Sequence, residues 1–91
     1  MSAEAARRAP IMSLSELVRL YRTHAANFGQ PVALSVFGLT AQETERLFSS
    51  YDEDYHISRF FHFSESAGEK FSINGFVATH VSLDPEIETI L

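Results

Sequence analysis

The chain of 91 residues has no cysteine and no tryptophan. Without thiols it can hold neither a disulfide framework nor a thiolate zinc site, and a cytoplasmic protein is expected. No apolar run approaches the ~20 residues that span a bilayer, so no membrane association is expected. The opening MSAEAARRAP carries two arginines but no apolar stretch follows, and no secretory signal is expected. Glycine is scarce: Gly29, Gly38, Gly68 and Gly75 stand singly, which excludes a glycine-rich phosphate loop. Serines are present without a G-x-S-x-G elbow. The acids fall in turns and caps, not as a pair set in an apolar segment. No catalytic constellation remains, so no enzyme, no cofactor and no small-molecule substrate is expected.

What is present is the composition of one globular domain, 45% hydrophobic and 12% aromatic, with eight Phe and three Tyr to build its core. Residues 1–12 read as a flexible N-terminal arm and 13–91 as a single α+β domain. The net charge of −5 is unevenly spread. Residues 1–30 carry four arginines against Glu4 and Glu16, a balance of +2, and residues 31–91 carry a balance of −7. An acidic chain is repelled by the phosphate backbone, which disfavours nucleic acid as a partner.

Local signals place the elements. Ser13 and Glu16 form a capping box that opens a helix expected to run to about Phe28. Its apolar stripe is Leu14, Leu17, Val18, Tyr21, Ala25 and Phe28, with His24 half-buried at the edge, and Gly29 and Pro31 supply the stop. Val32–Phe37 fits a short strand by its β-branched content and one or two helical turns by Pro31. Thr40 and Glu43 form a second capping box, opening a helix to about Tyr51 that buries Ala41, Thr44, Leu47, Phe48 and Tyr51. Tyr55–Phe63 reads as a strand, with Tyr55, Ile57, Phe61 and Phe63 on one face and His56, Ser58, Phe60 and His62 on the other. Asn74-Gly75 between apolar residues marks a hairpin. The C-terminal half is then a three-stranded antiparallel meander or a two-stranded wing with a kinked second strand. Asp84-Pro85-Glu86 starts a short C-terminal helix.

Gly38-Leu39-Thr40 followed by Thr44 and Leu47 resembles the turn of the winged helix-turn-helix superfamily. The likeness extends over residues 13–83 in the order of elements and over about fifteen residues in the motif. It implies a small winged-helix-like domain: N-terminal helices, an antiparallel hairpin and a short C-terminal helix. It also implies that the helix from Thr40 is a recognition helix, offering Gln42, Arg46 and Ser49 to base edges, with Arg59 and Lys70 reaching phosphates. Glu43 and Glu45 on that helix, and the overall charge, favour a protein partner over DNA.

Among the remaining features, His56 and His62 share a strand face but lie about 20 Å apart at ~3.3 Å per residue. Only His80 could approach one of them. Asp52-Glu53-Asp54 lacks the alternation, central glycine and distal glutamate of a calcium loop. Phe60 and Phe61 are consecutive and point to opposite faces of a strand, which leaves Phe60 off the core unless a second layer, the N-terminal arm or the first helix, covers it. Ile87, Ile90 and Leu91 share an apolar face that docks on the body or meets another chain. The expectation is therefore a small, self-associating, regulatory interaction module, with Phe60, Ile87, Ile90 and Leu91 as its contact surface. A DNA-binding regulator using Gln42, Arg46, Ser49 and Arg59 is the alternative.

Overall fold

A computed structural model describes residues 11–52 and 58–91 of the chain. In order come helix α1 (Leu14–His24), strand β1 (Val32–Ala33), a 3-10 helix (Leu34–Phe37), helix α2 (Ala41–Asp52), strands β2 (Phe61–Ser64), β3 (Phe71–Ile73), β4 (Phe76–Ala78) and β5 (His80–Leu83), and a C-terminal 3-10 helix (Pro85–Ile90). This is an α+β domain of helices and antiparallel strands.

Both capping boxes form. The Ser13 side chain accepts the Glu16 N–H while Glu16 reaches back to the Ser13 N–H. Thr40 and Glu43 do the same, at 3.0 and 3.1 Å. Helix α1 ends at His24, four residues before the expected Phe28. The following loop satisfies its backbone groups through side chains: the Tyr21 hydroxyl donates to the Gln30 carbonyl at 2.6 Å, and Gln30 Oε1 accepts the Ala26 N–H at 2.9 Å. Ala25 is extended yet buried, and Phe28 stacks on Tyr21 from outside the helix. His24 is exposed, not half-buried.

Val32–Phe37 is both of the alternatives in succession, a two-residue strand running directly into a 3-10 helix. Gly38 closes that helix at φ 73°, a left-handed conformation that glycine takes without steric cost. Helix α2 buries Thr44, Leu47 and Phe48, while Ala41 is exposed. Thr44 fills an apolar position because its hydroxyl donates back to the Thr40 carbonyl at 2.9 Å, so no polar group is stranded.

The strands neither form a meander nor kink at Gly75. β1, β5 and β2 make one antiparallel sheet with β5 in the centre, and β3 and β4 make a separate hairpin. In register, Phe61 faces Leu83, Phe63 faces Val81 and Val32 faces Val81. The hairpin pairs Phe71 with Ala78 and Ile73 with Phe76 around Asn74-Gly75. Both turn residues have positive φ, 51° and 86°, the two left-handed positions of a type I′ turn.

β4 and β5 are one run of chain interrupted only at Thr79. Its N–H donates to Ser64, its carbonyl accepts Leu34 N–H, and its buried Oγ1 accepts Ser66 N–H at 2.8 Å and lies 2.6 Å from His80 Nδ1. The core gathers between the two helices and the sheet around Phe48, which meets Phe37, Phe61 and Phe63 edge-on at 5.7–5.9 Å between ring centroids.

Candidate interaction surfaces

The residues expected to form a contact surface are split by the fold. Phe60 is 4% exposed and Ile87 fully buried, which corrects their placement on that surface. Phe60 escapes strand alternation because it lies in the turn before β2, so both Phe60 and Phe61 turn inward. Arg59 then covers the Phe60 ring, its guanidinium 4.9 Å from the centroid. Tyr55, Ile57 and His56 lie outside the described residues; of the expected strand, Ser58, Arg59 and Phe60 lie outside β2, which begins at Phe61.

Ile87 is drawn in by the C-terminal 3-10 helix. Asp84 caps that helix by accepting the Glu86 N–H at 2.9 Å, and its own N–H donates to the Phe60 carbonyl. The helix is thereby tied to the end of β2. Arg22 of α1 reaches Glu88 at 2.9 Å across an open cleft of about 480 Å³. Val18, Arg19 and Leu91 also line this cleft. Ile90 and Leu91 stay exposed, so this part of the expected surface is available to a partner.

A larger exposed apolar feature stands at the hairpin. Phe76 is 76% and Val77 51% exposed, the former being the most exposed large hydrophobic side chain among the described residues. They follow the Asn74-Gly75 turn, and sequence reasoning passed over them. Two consecutive apolar residues directly after a tight turn point to opposite faces of a two-stranded ribbon, so at least one must leave the core.

The hairpin is held on one side only. Ser72 N–H points away from β4 and donates to Glu45 Oε2 of α2 at 3.1 Å. β3 is thus shielded by α2, whereas among the described residues β4 pairs with β3 alone and its other edge is open. Lys70 and Glu65 pair at 3.1 Å across the loop that leads into β3.

The residues proposed for nucleic acid fall in two places. Gln42 and Arg46 are exposed on one stripe of α2, and neither has a bonding partner among the described residues; Ser49 beside them is half-buried. Arg59 lies before β2 against Phe60. Arg19 and Arg22 line the cleft beside the C-terminal helix, of which Arg46 is no part.

On the outer face of the main sheet, His62 and His80 are diagonal neighbours, since His62 faces Ser82 and His80 faces Ser64. His62 Nε2 lies 4.0 Å from Asp84 Oδ2. Among the described residues no group of three or more His, Cys, Asp or Glu is placed to hold a metal ion. No helix among them is long and apolar enough to cross a membrane. No protein-family model, no curated protein and no solved structure matches the chain.

Proposed function

We propose that this chain is a small, non-enzymatic, cytoplasmic interaction module of regulatory type that associates with a second copy of itself. The observation that carries the proposal is the pair Phe76 and Val77, exposed together on an open strand in a chain of net charge −5. Scattered single apolar residues are ordinary on a surface, but adjacent ones on an unpaired edge mark a contact site. A winged-helix-like arrangement is the finer fold we favour. It is supported by the succession of helix, short strand, helical turn, capped helix and antiparallel strands, with β5 between β1 and β2.

Sedimentation velocity over a concentration series tests self-association. A reversible monomer–dimer equilibrium is the expected result. A single species at the monomer mass of 10.2 kDa at every concentration would overturn it.

A second function is favoured by one observation, the free and exposed Gln42–Arg46 stripe on α2. In a DNA-binding regulator these two side chains would contact base edges. Arg46→Ala would then cost about 1–3 kcal/mol of specific binding. Fluorescence anisotropy with a random-sequence duplex at ~50 mM salt supplies the first check, because phosphate contacts weaken steeply as salt rises. Absence of any salt-sensitive binding would eliminate this function.

A further inference from the structure

The open edge of β4 has a geometry that selects its occupant. Opposite residues of an antiparallel pair alternate between exchanging both backbone hydrogen bonds and directing both outward. Ser72 directs its N–H outward, to Glu45. Val77, its partner in register, therefore also directs its N–H and carbonyl away from the hairpin, into the open edge. At Thr79 both backbone groups are already taken, by Ser64 and Leu34. The free edge is thus confined to Phe76–Ala78, with Val77 at its centre.

We infer that two copies of this chain join by antiparallel pairing of their β4 edges, with Val77 facing Val77 across a two-fold axis. This inference rests on the self-association proposed above. A two-fold contact must be self-complementary, and this edge is. Pairing Val77 with its own copy places each Phe76 beside the other copy's Ala78, a large side chain against a small one. Both outward backbone groups of Val77 find partners.

Charge favours a second copy over a charged ligand. Residues 71–83 contain no Asp, Glu, Lys or Arg, and neither do residues 25–42. The first stretch supplies β4. The second supplies β1 and the Leu34–Phe37 turn, which lie on the open side because Leu34 bonds Thr79 there while β3 occupies the other side. Two molecules of net charge −5 repel through their acidic faces and meet with least repulsion along this uncharged flank.

Two variants and one exchange measurement test the seam. Val77→Pro removes the outward N–H at a site where an edge strand tolerates proline. Val77→Lys keeps the backbone and sets two like charges face to face. Each should raise the dimer dissociation constant at least about tenfold in sedimentation, with far-UV circular dichroism unchanged. In the wild type, hydrogen exchange at the Val77 amide should slow as dimer accumulates, which decides the matter even where a variant misfolds. A dimer that persists in both folded variants, or whose Val77 amide exchanges as fast as in the monomer, overturns this seam and leaves self-association standing through Ile90 and Leu91. A wild type that never dimerises overturns the self-association itself.

Discussion

Val81 and Val77 lie four residues apart on nearly the same extended run of chain, yet one is fully buried and the other half exposed. The difference is one of neighbours. After Thr79 the strand is β5, paired on both sides by β1 and β2, with Val81 and Leu83 opposite Phe63 and Phe61, the two strand residues that Phe48 meets. Before Thr79 it is β4, paired on one side, with Ala78 in the core and Phe76 and Val77 facing water. The same residue type serves as core in the first setting and as contact surface in the second. The break sits at a threonine whose hydroxyl and backbone groups all bond across the junction, so the two halves are held at a defined place.

If base and tip differ in this way, substitutions should separate them sharply. Phe48→Ala removes the ring on which three other aromatic rings converge. It should cost about 3–5 kcal/mol of stability, read by urea unfolding. At the junction, Thr79→Val deprives the Ser66 N–H of its acceptor and should cost about 1–3 kcal/mol. Its resonances in β3 and β4 should shift more than those in β1, since the hairpin's attachment is what it loosens.

Farther from both, the first cap of α1 offers a smaller effect with a pH signature. Ser13→Ala should cost about 1 kcal/mol. Hydrogen bonds from the Ser13 backbone and side chain hold the Glu16 carboxyl below the ordinary glutamate range. A carboxyl lowered in the folded state adds stability that is complete above its unfolded value and is lost as pH falls through the folded one. Glu16→Gln should therefore lose stability at neutral pH, where the carboxylate's contribution is complete, converge on the wild type in acid, and flatten the acid side of the stability curve. Smallest of all is Val77→Ala at the tip, within about 0.5 kcal/mol when measured at concentrations where the monomer prevails. A large loss there would mean that the tip is packed, and would erase the contrast with Val81.

Much of the fold is legible locally. The capping boxes at Ser13 and Thr40, the Asn74-Gly75 turn and the Asp84-Pro85 helix start each involve residues within four positions of one another, and each forms. The features that were not legible depend on partners far along the chain. Helix α1 stops early because a loop tied to Tyr21 competes for its last turn. Phe60 and Ile87 are buried because the ends of β2 and β5 bring the C-terminal 3-10 helix onto the body. Of the expected contact residues only Ile90 and Leu91 remain outside. The Phe76-Val77 pair was within reach of the same alternation argument applied to Phe60-Phe61, but the two pairs came out reversed.

By itself the amino-acid sequence determined where the two α-helices and the C-terminal 3-10 helix start, that the Asn74-Gly75 turn is tight, and that an acidic α+β domain would form without thiol chemistry. Those outcomes follow from short-range hydrogen bonds, backbone preferences and composition, none of which needs a distant partner. Only the tertiary structure decided that β5 lies between β1 and β2, that the strand divides at Thr79, and which aromatic residues face water. Burial depends on what packs opposite, and every decisive contact here joins residues remote in the chain.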